Sequence, residues 1–304
     1  MTRPSRQQLI DAYLWACEME LRAFKPGNVS VHSEGHDMTV DDFRRSATAS
    51  APHLCNFGIP LGERIFRAVE ATRIVAGCNT NLGIVLLCAP LLEACILRSN
   101  TPCLRERLKP VLNGTTVADT DWVYRAIRIA APGGLGSAPE QDVNDAPNVT
   151  LRQAMELAKD RDRIAWQYMY YYSDVFELGV QVYHRRLSQW GDAEWAAVAV
   201  FVALLKGIPD SHIERKFGNR FTGMVAERMT RIDCVLSESD RPEQSLEHLR
   251  EADAMFKSAG INPGTTADLT VASLLAVRLD ALLANSNLGV ADGCSGHNRE
   301  RVSP

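Results

Sequence analysis

Apolar residues in this chain recur three or four positions apart and almost never alternate, and that spacing constrains the fold more than any other feature. Over residues 9–24, Leu9, Ile10, Tyr13, Leu14, Cys17, Leu21 and Phe24 follow the helical period behind Ser5 and Gln8, which read as a capping box. No run of alternating β-branched residues is bounded by hairpin turns, and no fixed-period repeat occurs. A chain so patterned can bury its apolar stripes only by packing helix on helix. An all-α fold is therefore predicted.

Turn residues divide the pattern. Lys25-Pro26-Gly27-Asn28 stops the first helix, and Thr39 with Asp42 starts a second that is expected to end before Pro52. Further helices are read at 62–76, 81–95, around Trp122, Ile127 and Ile129, at 194–206, 241–259 and 269–283. Thr150 with Gln153 opens a long helical stretch expected to reach His184. Pro132-Gly133-Gly134-Leu135-Gly136-Ser137-Ala138-Pro139 is the clearest non-helical interior segment, and it reads as a functional loop or lid or as a plain surface loop. The whole is read as a single domain over residues 1–288 with a polar, disordered tail at 289–304.

Several classes are set aside by composition. With 46% hydrophobic and 23% charged residues in 304, the chain can bury a large core without staples. Its 8 cysteines lack C-x-x-C spacing and sit mostly in apolar runs, so reduced thiols are expected. A net charge of -4 and the lack of a basic stripe argue against nucleic acid, while a small anion needs only a few local donors. Residues 74–92 carry no charge, but Gly77, Asn79, Thr80, Asn81, Gly83 and Pro90 interrupt them, which suits a core helix over a bilayer span. With no apolar leader at 1–8, a cytoplasmic protein without membrane association is expected, and a homodimer is compatible with the sequence.

Four polar clusters interrupt the apolar helices. They are Lys25 to Val29 with His32, His36 and Asp37; Gly77 to Gly83; Pro209 to Ile213 with Arg215 and Lys216; and Ile261 to Leu269. Small polar residues before a helix leave backbone N–H groups suited to phosphate, so Asn79, Thr80, Asn81, Gly83, Gly264, Thr265 and Thr266 are candidate anion donors, with ordinary capping as the other reading. Asp37, Asp210 and Asp268 are loop or first-turn carboxylates of the kind Mg²⁺ takes together with phosphates and water. His212, next to Asp210, reads equally as a proton carrier or a surface histidine. His32, His36 and Asp37 lack a third spaced ligand for zinc. Asp160, Asp162 and Asp174 beside Arg161 and Arg163 read as a solvated helix face.

The order of these clusters resembles a known family. Lys25-Pro26-Gly27-Asn28-Val29, His36-Asp37-Met38-Thr39 and Phe43, with Glu20 upstream, are similar to the opening of the triphosphoribosyl-dephospho-CoA synthases. Asn79-Thr80-Asn81-Leu82-Gly83 resembles their N-T-H-K-G element, and Asp210-Ser211-His212-Ile213 with Arg215-Lys216 a further segment. Asn262-Pro263-Gly264-Thr265-Thr266-Ala267-Asp268-Leu269 resembles their closing motif, so the likeness spans roughly residues 9–285.

The resemblance implies an all-helical transferase that splits ATP at the ribose C1′, releases adenine and moves the triphosphoribosyl group to a hydroxyl of dephospho-CoA. The resulting expectations are Asp37 and Asp268 at Mg²⁺, and Lys25, Asn28, Asn79 to Gly83, Lys216 and Gly264 to Thr266 at the nucleotide. Asp210 or Glu20 is the expected base, assisted by His212. Asn81-Leu82 stands where the family has His-Lys, and Asn28 replaces an apolar residue. Those departures raise a divergent branch with another acceptor, such as the arylamine-ribitol intermediate of a tetrahydromethanopterin-type carrier. An N-glycoside hydrolase and a non-catalytic nucleotide-binding protein are the other readings.

Overall fold

Reciprocal caps begin the helices. Ser5 with Gln8 starts α1 (Arg6–Arg22), and Thr39 with Asp42 starts α2 (Val40–Leu54). After α3 (Leu61–Ala76), α4 (Leu82–Ile96) and α5 (Leu104–Asn113), Thr116 with Asp119 starts α6 (Val117–Ala130) and Thr150 with Gln153 starts α7 (Leu151–Ala158). Each box satisfies two orphan donors, and such caps typically contribute about 1 kcal/mol. The second half of the chain holds α8 (Arg163–Met169), α9 (Val180–Trp190), α10 (Ala193–Gly207), α11 (Ser211–Phe217), α12 (Thr222–Glu238), α13 (Leu246–Ser258) and α14 (Gly264–Ala291).

This computed structural model describes residues 3–35, 38–99, 101–133, 136–138 and 140–291, with backbone alone over 286–291. Among the described residues the protein is all-α, with two isolated bridges (Ser30 with Ser33, Gly35 with Met38) in place of strands. The last helix reaches Ala291, three residues into the predicted tail; residues 292–304 lie outside the described residues.

The most apolar helices are the central ones. A helix apolar all round has no face to offer water and must be enclosed. Thus α4 and α10 are buried along nearly their whole length, and α14 packs against both as well as against α1. An outer layer of α2, α3 and α6 leans on one side, and α9 and α12 cover α10 on the other. Among the described residues no single helix is long and apolar enough to cross a membrane.

Three sequence expectations need correction. Pro52 lies inside α2, because the carbonyl its missing N–H would have served belongs to exposed Thr48 and can meet water. The segment 104–113, passed over in the sequence, forms α5 and carries Pro110. The long helix expected from Thr150 to His184 is broken into α7, α8, a π-helical turn (Asp174–Gly179) and α9. The breaks fall at Asp162, which caps α8, and at Tyr171 and Tyr172, whose φ of 50° and 56° no helix accepts.

The break at Tyr171 and Tyr172 has a packing cause. Pro90 within α4 cannot donate to the carbonyl of Leu86. The buried Tyr168 hydroxyl donates to Leu86 O at 2.7 Å, and Tyr172 donates to Leu87 O at 3.1 Å. Two tyrosines thereby fasten α8 and the following turn to the helix whose N-terminus carries Asn81 to Gly83.

Candidate active site

A cavity of about 510 Å³ opens where the ends of these helices meet. One end is polar, lined by Glu20, Asn28, Asn79, Thr80, Asn81, Gly83, His212, Arg215, Asn262, Gly264, Thr265 and Asp268. The other end is apolar, built by α6 and α7 through Val123, Ile127, Leu151, Ala154, Met155 and Leu157. The described residues of a covering loop, Gly133, Gly136 to Ala138 and Glu140 to Val143, complete its lining. All four polar clusters, up to 240 positions apart in sequence, thus contribute to one cavity.

The first cluster is clamped to α13. Gly27, with φ of 79°, donates its N–H to Asp253 Oδ1 at 2.8 Å, and Ser33 donates to Asp253 Oδ2 at 2.6 Å. A side chain at Gly27 would place Cβ 2.9 Å from both Ile261 O and Phe256 Cβ, so only glycine lets the loop lie this close. Asn28 Nδ2 then donates to Asn262 Oδ1 at 2.7 Å, joining the first and fourth clusters at the cavity wall. Asp37 and His36 lie outside the described residues.

Lys25 does not reach the cavity wall. Its ammonium is buried in an ion pair with Glu20, and burial pushes the lysine down and the glutamic acid up against their mutual attraction. Lys216 is also directed elsewhere, donating to Gly260 O at 3.3 Å and lying over the Phe217 ring. Both lysines expected at phosphates are thus engaged by the protein, because a long side chain at a loop edge goes to whichever acceptor the fold brings near.

The helix starts behave in the same way. Gly264, Thr266 and Ala267 N–H donate to Asn262 O, Asp210 Oδ2 and Pro263 O, so the beginning of α14 is largely capped by the protein itself. At α4, Asn79 Oδ1 accepts from Leu82 N at 3.1 Å, and Thr80 donates from its hydroxyl to Ser46 Oγ at 2.6 Å. Asn81 Nδ2 reaches Ser50 Oγ at 3.4 Å, while its buried Oδ1 has no partner among the described residues.

Asp210 is held by four donors. Its Oδ1 accepts from His212 N and Ile213 N, capping α11, and its Oδ2 accepts from the N–H and hydroxyl of Thr266 at 2.7 and 2.8 Å. A buried carboxylate so engaged latches α11 to α14 and has no lone pair in reserve for a substrate proton. His212 does line the cavity, pressed so closely on Gly264 that any side chain there would collide with its Nδ1.

Asp268 is the carboxylate at the polar end. Burial, with the Asp210 and Glu20 carboxylates nearby, holds its carboxyl well above the ordinary range. Gly83 makes room for it: a Cβ there would lie 2.5 Å from Asp268 Cγ and 2.8 Å from Ile164 Cδ1. The glycine of the second cluster and the aspartate of the fourth are therefore one construction.

The sequence reading missed the turn between α7 and α8. Asp162 caps α8 through Oδ1 and grips Arg215 Nη1 through Oδ2 at 2.7 Å. Arg163 N donates to Ser211 Oγ, and its guanidinium holds Asp174 at 2.7 and 3.0 Å. The face read as solvated is instead docked on the third cluster, with Arg161 and Asp162 on the cavity. Partners 48 and 53 residues away leave no local signal.

The covering loop is also ordered from within. Asp142 accepts from Ala138 N and from Asn144 N and Nδ2, which holds its carboxyl below the usual range, and Tyr124 donates to Gln141 O at 2.8 Å. Among the described residues no group of three or more His, Cys, Asp or Glu gathers as a metal cage.

The sequence model of the CitG family, described as ATP:dephospho-CoA triphosphoribosyl transferase, matches residues 6–287. Neither the curated proteins nor the solved structures give a match.

Proposed function

The chain belongs to the ATP:dephospho-CoA triphosphoribosyl transferase family, and from that premise we propose that its 510 Å³ cavity binds ATP and carries the reaction at the polar end. It is a transferase. The observation that supports this reading is the meeting of four distant polar clusters around Asp268 and His212.

In the transfer, the acceptor oxygen bonds to C1′ as the bond from C1′ to adenine breaks, through an oxocarbenium-like state. The proton leaving the hydroxyl is balanced by the one adenine gains. His212 is the cavity group suited to take that proton, since Asp210 is saturated by four donors and Glu20 is held by Lys25. The apolar end and the covering loop keep water from C1′.

Asp268 is a hard oxygen donor of the kind Mg²⁺ takes, and the Asp210, Glu20 and Asp162 carboxylates around it create a repulsion that a cation relieves. Bound there with the triphosphate, Mg²⁺ would neutralise phosphate charge. The acceptor is dephospho-CoA in the family. The buried Asn81 and Leu82, standing where the family has His-Lys, favour a second reading in which another hydroxyl compound, such as an arylamine-ribitol, is the acceptor.

Adenine release from ATP with Mg²⁺, tested with dephospho-CoA, with an arylamine-ribitol and with water alone, separates these readings. Release with dephospho-CoA is expected, and release only with the other acceptor moves the chain to the divergent branch. Adenine formed in water alone makes it a hydrolase, and none under any condition overturns the reading.

A further inference from the structure

We infer that Arg161, on the turn between α7 and α8, is the residue that holds the polyphosphate of the nucleotide and so sets which way ATP lies in the cavity. This rests on the proposed use of ATP. Among the described residues the cavity is lined by two arginines, Arg161 and Arg215, and by no lysine. The same wall carries Glu20, Glu140, Asp142, Asp162 and Asp268, so a triphosphate placed at random would meet mostly like charge. Among the described lining, the fixed positive charge that can meet it is that of the two arginines.

The two arginines differ in what they have left to give. Arg215 spends Nη1 on Asp162, which fixes its position. The guanidinium of Arg161 makes no hydrogen bond or ion pair among the described residues, although its exposed side chain lies on the cavity wall. It acts electrostatically on Tyr124 and on Asp142, whose oxygens are already taken by Ala138 and Asn144.

The backbone on both sides of Arg161 is nonetheless pinned. Its own N–H donates to Ala158 O at 3.1 Å, Asp162 caps α8 and grips Arg215, and Arg163 is tied to Ser211 and Asp174. A rigid turn that presents one unengaged planar fork to a cavity is what bidentate phosphate recognition requires. Phosphates held at Arg161 and Arg215 would share the cavity lining with His212 and Asp268.

A polyphosphate could come from the donor's triphosphate or from the diphosphate of a dephospho-CoA acceptor; the charge argument assigns Arg161 to the triphosphate. The test is calorimetric titration of the full-length protein with inorganic tripolyphosphate, which reads binding without turnover. Arg161→Gln is expected to weaken it roughly tenfold to a hundredfold, with Arg161→Lys in between. KM for ATP should rise by a similar factor while KM for the acceptor stays within twofold.

The side chain of Arg161 is exposed and holds no hydrogen bond or ion pair among the described residues, so melting temperatures should match wild type. Arg231→Ala, on a distant exposed pair with Glu227, serves as the charge control and should change nothing. Unchanged tripolyphosphate affinity in R161Q overturns the inference, as does a KM shift confined to the acceptor or an absence of tripolyphosphate binding by the wild-type protein. Failure to release adenine would instead sink the transfer reading and leave this binding result standing.

Discussion

Gly83→Ala tests the centre of the proposed site most directly. A Cβ at this position would stand 2.5 Å from Asp268 Cγ and 2.8 Å from Ile164 Cδ1, against the 3.4 Å at which ordinary contact begins. Asp268 Oδ2 stands closer still, so the carboxylate must retreat by more than about 0.9 Å, or α4 must move away from α14 by as much. Overpacking of this size costs about 1–3 kcal/mol, which a domain with about 5–15 kcal/mol of stability survives. The reaction is less tolerant, since a displacement of about 1 Å in a positioned group costs on the order of a hundredfold in rate. G83A should thus be folded by circular dichroism, melt a few degrees lower and release adenine about a hundred times more slowly. The double variant G83A/D268A separates the two effects. Removing the carboxylate relieves most of the clash, so stability should recover while adenine release stays low. A folded G83A protein releasing adenine within twofold of wild type would refute the placement of Asp268 at the reacting end.

Asp210 should behave as a latch: Asp210→Ala is expected to cost about 2–4 kcal/mol in urea unfolding, from the lost cap and the two lost bonds to Thr266. Loss of adenine release in Asp210→Asn with unchanged unfolding would mark it as the base instead. For Asp268, a carboxyl held above its unfolded value binds more protons in the folded state. Stability therefore falls as pH rises from about 4 through the folded value. In Mg²⁺-free buffer Asp268→Asn should be more stable than wild type at pH 7.5, with the difference vanishing near pH 4. A wild-type protein that is the more stable at pH 7.5 contradicts this. Tyr168→Phe leaves the Leu86 carbonyl beside Pro90 unpaired and should cost about 1–3 kcal/mol; a variant as stable as wild type would show that the carbonyl finds another donor.

Much of the architecture was legible before any coordinates. Helix starts at Ser5, Thr39 and Thr150 are local events, since a capping box needs only a hydroxyl and a carboxamide or carboxylate three residues on. The burial of α4 and α14 follows equally from their lack of a polar face. The four polar clusters could also be seen, because small polar residues at helix ends stand out against apolar surroundings. Where the local reading failed, as at Pro52 and over residues 150–184, the deciding partner was solvent on Thr48 or the distant carbonyls of Leu86 and Leu87.

What the chain alone determined is therefore a set of helices and a list of polar residues at their ends. Tertiary structure decided which of those residues keep an unengaged atom for a ligand. Lys25, Asp210 and Thr266 carry the expected chemistry, but Glu20 takes the first and the other two take each other. Arg161 looked like solvated charge and lies on the cavity wall. The physical reason is range: helix propensity and capping act within about four residues, whereas the partners of Asp210, Asp162, Gly27 and Asn28 lie 53 to 234 positions away.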